Sequence, residues 1–131
     1  QMCIRDRHRA ASHGLYRSKV CDLHEDYIRP QENGSHYDCD YLELSGSQYG
    51  IAAVAKKSFS FNASHYTQEE LERAAHNYEL CAADSTILCL DYALNGIGSN
   101  SCGPVVLEKY RFDETEFQFG LTLVPFVKGT K

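Results

Sequence analysis

Apolar positions along this chain recur mostly at every second residue, the period of a half-buried strand rather than of a helix. Tyr37, Cys39 and Tyr41 share one face of a stretch that runs to Ser45, where Gly46-Ser47 breaks it. Gly50–Ala55 is a small apolar run, and Ser58-Phe-Ser-Phe-Asn62 alternates cleanly. Lys56-Lys57 separates those two runs, so a hairpin across the lysines is expected. Thr86-Ile-Leu-Cys-Leu-Asp91 is apolar throughout and reads as a central strand covered on both faces. Val105–Phe112 and Glu116–Val124 read as two more strands joined through Asp113-Glu114-Thr115, with Phe117, Phe119, Leu121 and Leu123 on one face of the second. A short strand Tyr27–Arg29 is stopped by Pro30, which cannot donate to a ladder, and Asn33-Gly34 is a strong turn pair.

One segment has helical character. Thr67-Gln-Glu-Glu70 is a capping box in which Thr67 and Glu70 each satisfy the other's free amide, with Leu71, Ala74 and Ala75 as the apolar side. The helix is expected to run for about ten residues, to His76 or Asn77. Residues 8–26 are polar and mixed, with one irregular turn between Ser18 and Asp26, and Asn95–Pro104 is a long Gly/Ser/Asn loop. Six or seven short strands and one helix near 67–76 predict an all-β fold, a mostly antiparallel β-sandwich.

The chain has 131 residues and an apolar fraction of 43%, which suits one domain with one core. A net charge of −5 with scattered basic residues argues against a nucleic-acid partner. No apolar run is long enough to cross a membrane as a helix, and no charged segment followed by an apolar one stands at the start. Six cysteines at positions 3, 21, 39, 81, 89 and 102 show no disulfide-like or zinc-like spacing, so free thiols in a reducing compartment are expected, with Cys89 as a small core hydrophobe. The six histidines likewise lack metal-ligand spacing. Met2-Cys-Ile-Arg-Asp-Arg7 resembles a translated sequencing adapter, so residues 1–7 are expected to be non-native and 8–131 to be the domain segment.

Four blocks, in this order and spacing, carry a family resemblance. They are His8-Arg-Ala-Ala-Ser-His-Gly14 with Leu23-His-Glu-Asp26 and Tyr27-Ile-Arg-Pro-Gln-Glu-Asn-Gly34; Phe59-Ser-Phe-Asn-Ala-Ser64 with Tyr66–Leu71; Leu90-Asp-Tyr92 with Asn95-Gly-Ile-Gly-Ser-Asn-Ser-Cys-Gly-Pro104; and the tail Tyr110-Arg-Phe112 with Phe117-Gln-Phe119. Together they resemble the C-terminal segment of glycoside hydrolase family 2 β-galactosidases. The resemblance implies part of a large sandwich like that of galactose mutarotase, packed beside a catalytic (β/α)8 barrel in a homo-oligomeric, cytoplasmic parent enzyme. It implies magnesium and sodium or potassium in the parent, none of them held chiefly by this segment. It implies a retaining hydrolase for terminal β-D-galactosyl groups, whose two glutamates lie in the barrel, so no catalytic residue is expected here.

Two residues are expected to line the sugar pocket through the Asn95–Pro104 loop, Cys102 and Asn100. Some relatives place Trp where Cys102 stands; Trp would supply a stacking face, whereas a thiol leaves a differently shaped floor. Glu32 is read as a turn residue, Asp38 and Asp40 as solvated, and Tyr27, Tyr37, Tyr41 and Tyr49 as core and interface aromatics. Three rival readings stand beside this one. They are a free-standing carbohydrate-binding module, an aldose epimerase with a His/Glu pair, and an interaction domain without a ligand.

Overall fold

The computed structural model describes residues 14–24, 34–93 and 107–129. A single four-stranded antiparallel sheet organises them. Strand β1 (His36–Ser45) turns through Gly46 into β2 (Tyr49–Ser64), which is sixteen residues long. The turn closes with Gly46 N donating to Tyr49 O at 2.8 Å. Strand β3 (Ile87–Asp91) pairs with one end of β2, from Ser60↔Asp91 to Ser64↔Ile87. Strand β4 (Leu121–Val127) pairs with the other end, from Tyr49↔Val127 to Ala55↔Leu121. β1 occupies the opposite edge of β2 along its length. The mostly antiparallel, all-β expectation holds, with one sheet among the described residues.

The core lies on one face of this sheet. Ala53, Phe59, Phe61 and Ala63 of β2, with Cys39 and Leu42 of β1, are closed over by Leu23 from a 3₁₀ turn (Val20–Leu23), and Tyr16 and Val20 pack against them. That turn is the irregular one expected between Ser18 and Asp26. His36 is fully buried and stacks on Phe61 with ring centroids 4.6 Å apart. Gly34 holds φ = +75°, and a Cβ there would stand 2.5 Å from the Leu23 carbonyl oxygen, so the approach of the two segments depends on its missing side chain.

The two runs expected to form a hairpin across Lys56-Lys57 are one continuous strand. The lysines mark a bulge instead. Between Cys39↔Phe59 and Tyr41↔Val54, four β2 residues, Ala55–Ser58, stand opposite the single residue Asp40. The strand keeps pairing on either side of the extra residues, so the chain bends without reversing. A second irregularity between His36 and Cys39 places Asp38 at φ = +57°, the left-handed region that a short polar side chain tolerates.

Other elements depart from the pattern. β3 is not a doubly covered central strand: all five of its residues are half-buried, and among the described residues it pairs with β2 alone. Cys89 projects with Asn62 rather than with the core residues; it is half-buried and receives Gln68 Nε2 at 3.8 Å. Burial pushes its thiol pKa up. The expected hairpin of Val105–Phe112 and Glu116–Val124 is absent from the described part, where residues 108–110 form a 3₁₀ turn and strand structure begins only at Leu121. Tyr49, expected in the core or an interface, is exposed, whereas Tyr37 and Tyr41 are half-buried.

Helix α1 (Gln68–Arg73) has six residues, shorter than expected. Thr67 Oγ1 accepts from Glu70 N at 3.1 Å, the first half of the capping box. The Glu70 carboxylate is engaged elsewhere: it accepts from Arg73 at 2.7 and 3.2 Å and from the Cys81 amide at 2.8 Å. That return of the chain ends the helix early. Glu79 then accepts from the amides of Ala75 and His76, tying down the next turn. Leu71 and Ala74 are buried as expected, but Ala75 is exposed because the helix has stopped.

Phe61→Ala should cost about 3–5 kcal/mol, and Gly34→Ala at least about 1–2 kcal/mol from its left-handed backbone alone, both read as shifts of the urea midpoint. Arg73 beside Glu70, and the Ala75 amide beside Glu79, hold both carboxyls below the usual glutamate value. Their contribution to stability is therefore full above the unfolded glutamate pKa and lost as pH falls through the lowered folded values. Glu70→Gln should lose stability at pH 7 and flatten the acid side of the stability profile, measured by denaturation between pH 7 and pH 3.

Candidate functional site

β3 and β4 share one edge of β2 without meeting. β3 leaves at Ser60↔Asp91 and β4 joins at Ala55↔Leu121, so Lys56–Phe59 of β2 pair with neither strand. Both stems of the segment between β3 and β4 stand at this notch in sequence order, Tyr92-Ala93 following β3 and residues 107–120 leading into β4.

An aromatic cluster takes the place of a ladder here. Tyr92 stacks on Phe117 at 4.9 Å, tilts against Phe112 at 5.8 Å and meets Phe119 edge-on at 5.9 Å. Its hydroxyl donates to Glu114 Oε2 at 3.0 Å, and that bond to a carboxylate holds the phenol pKa above its ordinary value. Aromatic pairs at these separations contribute attraction beyond the area they cover. The cluster joins the end of β3 to the irregular segment 111–120. Phe117 remains 56% exposed.

Beside the cluster lies an open cavity of about 210 Å³ lined by Tyr37, Asp38, Ser58, Phe59, Ser60, Tyr92 and Ala93. The two sheet irregularities build it. The long bulge brings Ser58 to Asp38, whose Oδ1 accepts from Ser58 Oγ at 3.0 Å. Asp38 is therefore half-buried and hydrogen-bonded, not simply solvated as expected, while Asp40 is exposed. The lining offers one carboxylate, several hydroxyls and the rings of Phe59 and Tyr92. Such groups can bind hydroxyl-bearing molecules. Asp38 is the only carboxylate in the lining, whereas glycoside hydrolysis needs two flanking the scissile bond.

Cys102 and Asn100 lie outside the described residues, as do Glu32 and most of Tyr27–Gly34. Beside His36, which is buried on Phe61, the other three described histidines have ordinary structural partners: His24 lies against Tyr66, His65 is bonded to the Ser85 carbonyl, and His76 is stacked on Tyr78. Among the described residues no three His, Cys, Asp or Glu side chains are placed to hold a metal ion. No helix is long and apolar enough to cross a membrane. The reading of the sequence missed the Asp38–Ser58 contact and the Tyr92 cluster. A signal for the second existed, an aromatic residue just before a Gly-rich loop and three phenylalanines soon after it.

Residues 3–123 match the family model described as beta galactosidase small chain. The chain belongs to that family. This small-chain sequence is 46% identical over 119 residues to the beta-galactosidase of Actinobacillus pleuropneumoniae, covering 91% of the chain and 11% of the relative. It is 40% identical over 104 residues to that of Staphylococcus xylosus, covering 79% and 10%. It is 34% identical over 119 residues to that of Kluyveromyces lactis, covering 90% and 11%. The small-chain sequence thus spans about a tenth of the length of the relatives it matches.

Replacing Tyr92 with Ala should detach segment 111–120 from β3 and increase amide exchange across it, whereas Tyr92→Phe should lose only the Glu114 bond and leave exchange nearly unchanged. Hydrogen exchange read by mass spectrometry distinguishes the two; equal protection in both variants would show that the cluster anchors nothing.

Proposed function

We propose that this chain serves as one part of a longer β-galactosidase of glycoside hydrolase family 2 that removes terminal β-D-galactosyl groups, lactose included, with retention of configuration. The observation that carries this is the family match across residues 3–123, together with relatives named beta-galactosidase at up to 46% identity. In this reading the catalytic glutamates and the magnesium and alkali-ion sites belong to the remainder of the enzyme, which is a cytoplasmic homo-oligomer. The chain supplies pocket wall. Its Asn95–Pro104 segment presents Cys102 and Asn100 to the sugar, with its stems fixed at the notch by Tyr92 and its aromatic neighbours. Gly, Ser and Asn in that segment permit close backbone approach to a ligand. A cysteine in place of a flat indole leaves less stacking surface and so shifts affinity more than it shifts chemistry.

A chimera tests this. The Actinobacillus enzyme carrying this chain in place of its own aligned segment should hydrolyse a chromogenic galactoside, while the chain by itself shows no turnover. Within the chimera, Cys102→Trp should change KM severalfold for several galactosides with a smaller change in kcat, as expected for a ground-state contact. Turnover by the isolated chain, or identical KM values in both chimeras, would contradict the pocket-wall role.

A further inference from the structure

Ser60 is a buried polar residue on the side of β2 away from the core, since it alternates with Phe59 and Phe61. It is only 5% exposed, yet it lines the open cavity at the notch. Its hydroxyl makes no hydrogen bond among the described residues. A hydroxyl taken out of water without a partner is costly, so the partner for this one comes through the cavity mouth. The rim above it is built by both irregularities of the sheet. The bulge at Ala55–Ser58 and the left-handed backbone of Asp38 bring Ser58 Oγ to 3.0 Å from Asp38 Oδ1. Bulges recur beside functional sites because they re-aim a side chain, and a non-glycine residue in the left-handed region persists where its surroundings hold it. Tyr37 and Tyr92 add aromatic surface, and Tyr92 is fixed by Glu114 and Phe117. The lining is therefore assembled in advance, which lowers the ordering cost of binding.

We infer that this cavity is a binding site, made wholly by residues of this chain, for one neutral sugar ring or a polyol of that size. The Asp38 carboxylate accepts hydrogen bonds from ligand hydroxyls, the Ser60 hydroxyl gains its partner from another, and the tyrosines offer amphipathic surface to the ring. Other classes of ligand suit the lining less. Among the described residues no three His, Cys, Asp or Glu side chains stand together for a metal ion. An anion would meet the Asp38 charge. Lys56 and Lys57, exposed on the same bulge, weaken the pull of one carboxylate on an organic cation. A volume of about 210 Å³ falls below the roughly 300–1,000 Å³ of sites for drug-sized ligands, which limits the occupant to a single ring. The inference does not depend on the reading of the chain as part of a β-galactosidase.

Peptide-resolved hydrogen exchange tests the site on the 131-residue chain and on the Actinobacillus chimera, each titrated with D-galactose, D-glucose and tetramethylammonium chloride as a cation probe. Either hexose should slow exchange in peptides covering 36–41 and 56–61 more than in those from β4, half-maximally at millimolar sugar. Asp38→Asn keeps a side chain that the left-handed backbone tolerates and should weaken this protection about tenfold, as loss of a charged acceptor does. Ser60→Ala should weaken it severalfold. No protection by either hexose in both proteins overturns the site. So does protection by tetramethylammonium alone, or hexose protection that both variants retain in full. In the chimera, sugar protection confined to 95–104 overturns this site and supports the pocket-wall reading. Protection at 36–41 and 56–61 with none at 95–104 supports the site and counts against that reading.

Discussion

Every ladder described in this chain has Tyr49–Ser64 as one of its two strands. β1, β3 and β4 do not touch one another through backbone hydrogen bonds; each is held to the sheet by the central strand alone. The alternation of β2 therefore decides where everything else lies. Ala53, Phe59, Phe61 and Ala63 turn toward the core, and a slip of one residue would send all four to the opposite face. Phe59 and Phe61 are the largest fully buried side chains, and they oppose Cys39 and His36 of β1, so packing and pairing fix the same register.

Two irregularities make that strand more than a flat template. The bulge at Ala55–Ser58 lets one strand serve β4 at one end and β3 at the other while leaving a notch between them. The left-handed Asp38 answers it from β1, and the Ser58–Asp38 hydrogen bond spans the gap. Tyr92 and its phenylalanines hold the chain at the same place by ring contacts. The open cavity and the aromatic cluster thus sit where regular pairing is interrupted.

Much of this was legible in the residues. The two-residue period located β1 and the Ser58–Asn62 part of β2, continuous apolar runs located β3 and the start of β2, and Thr67 marked the helix start. The family blocks pointed to a β-galactosidase segment that the family model and the named relatives bear out. Other features were hidden for physical reasons. Lys56-Lys57 reads equally as a turn or as a bulge, because both expose two consecutive polar side chains; only the partner strand decides. The helix looked longer because Ala74 and Ala75 are good helix formers, yet Glu70 binding the Cys81 amide ends it from outside. Phe117 and Phe119 alternate like strand residues, but they and Phe112 meet one tyrosine ring rather than a ladder. Cys89 looked like core because β3 is apolar throughout, and which side of a wholly apolar strand faces inward is not written in its composition. The pocket residues Cys102 and Asn100 were named from resemblance, and they lie outside the described part of the chain.

The registers also carry a consequence for how the chain folds. β1 and β2 meet across a tight turn, so their hairpin forms among near neighbours and closes at little entropic cost. β4 finds its place on β2 only by closing a loop of roughly sixty to eighty residues. It is also made after the other three described strands. The hairpin must therefore wait with one bare edge at Tyr49–Ala55 until β4 arrives. An apolar strand edge that stays vacant while the residues between β2 and β4 are made is the point at which nascent chains would stick to one another.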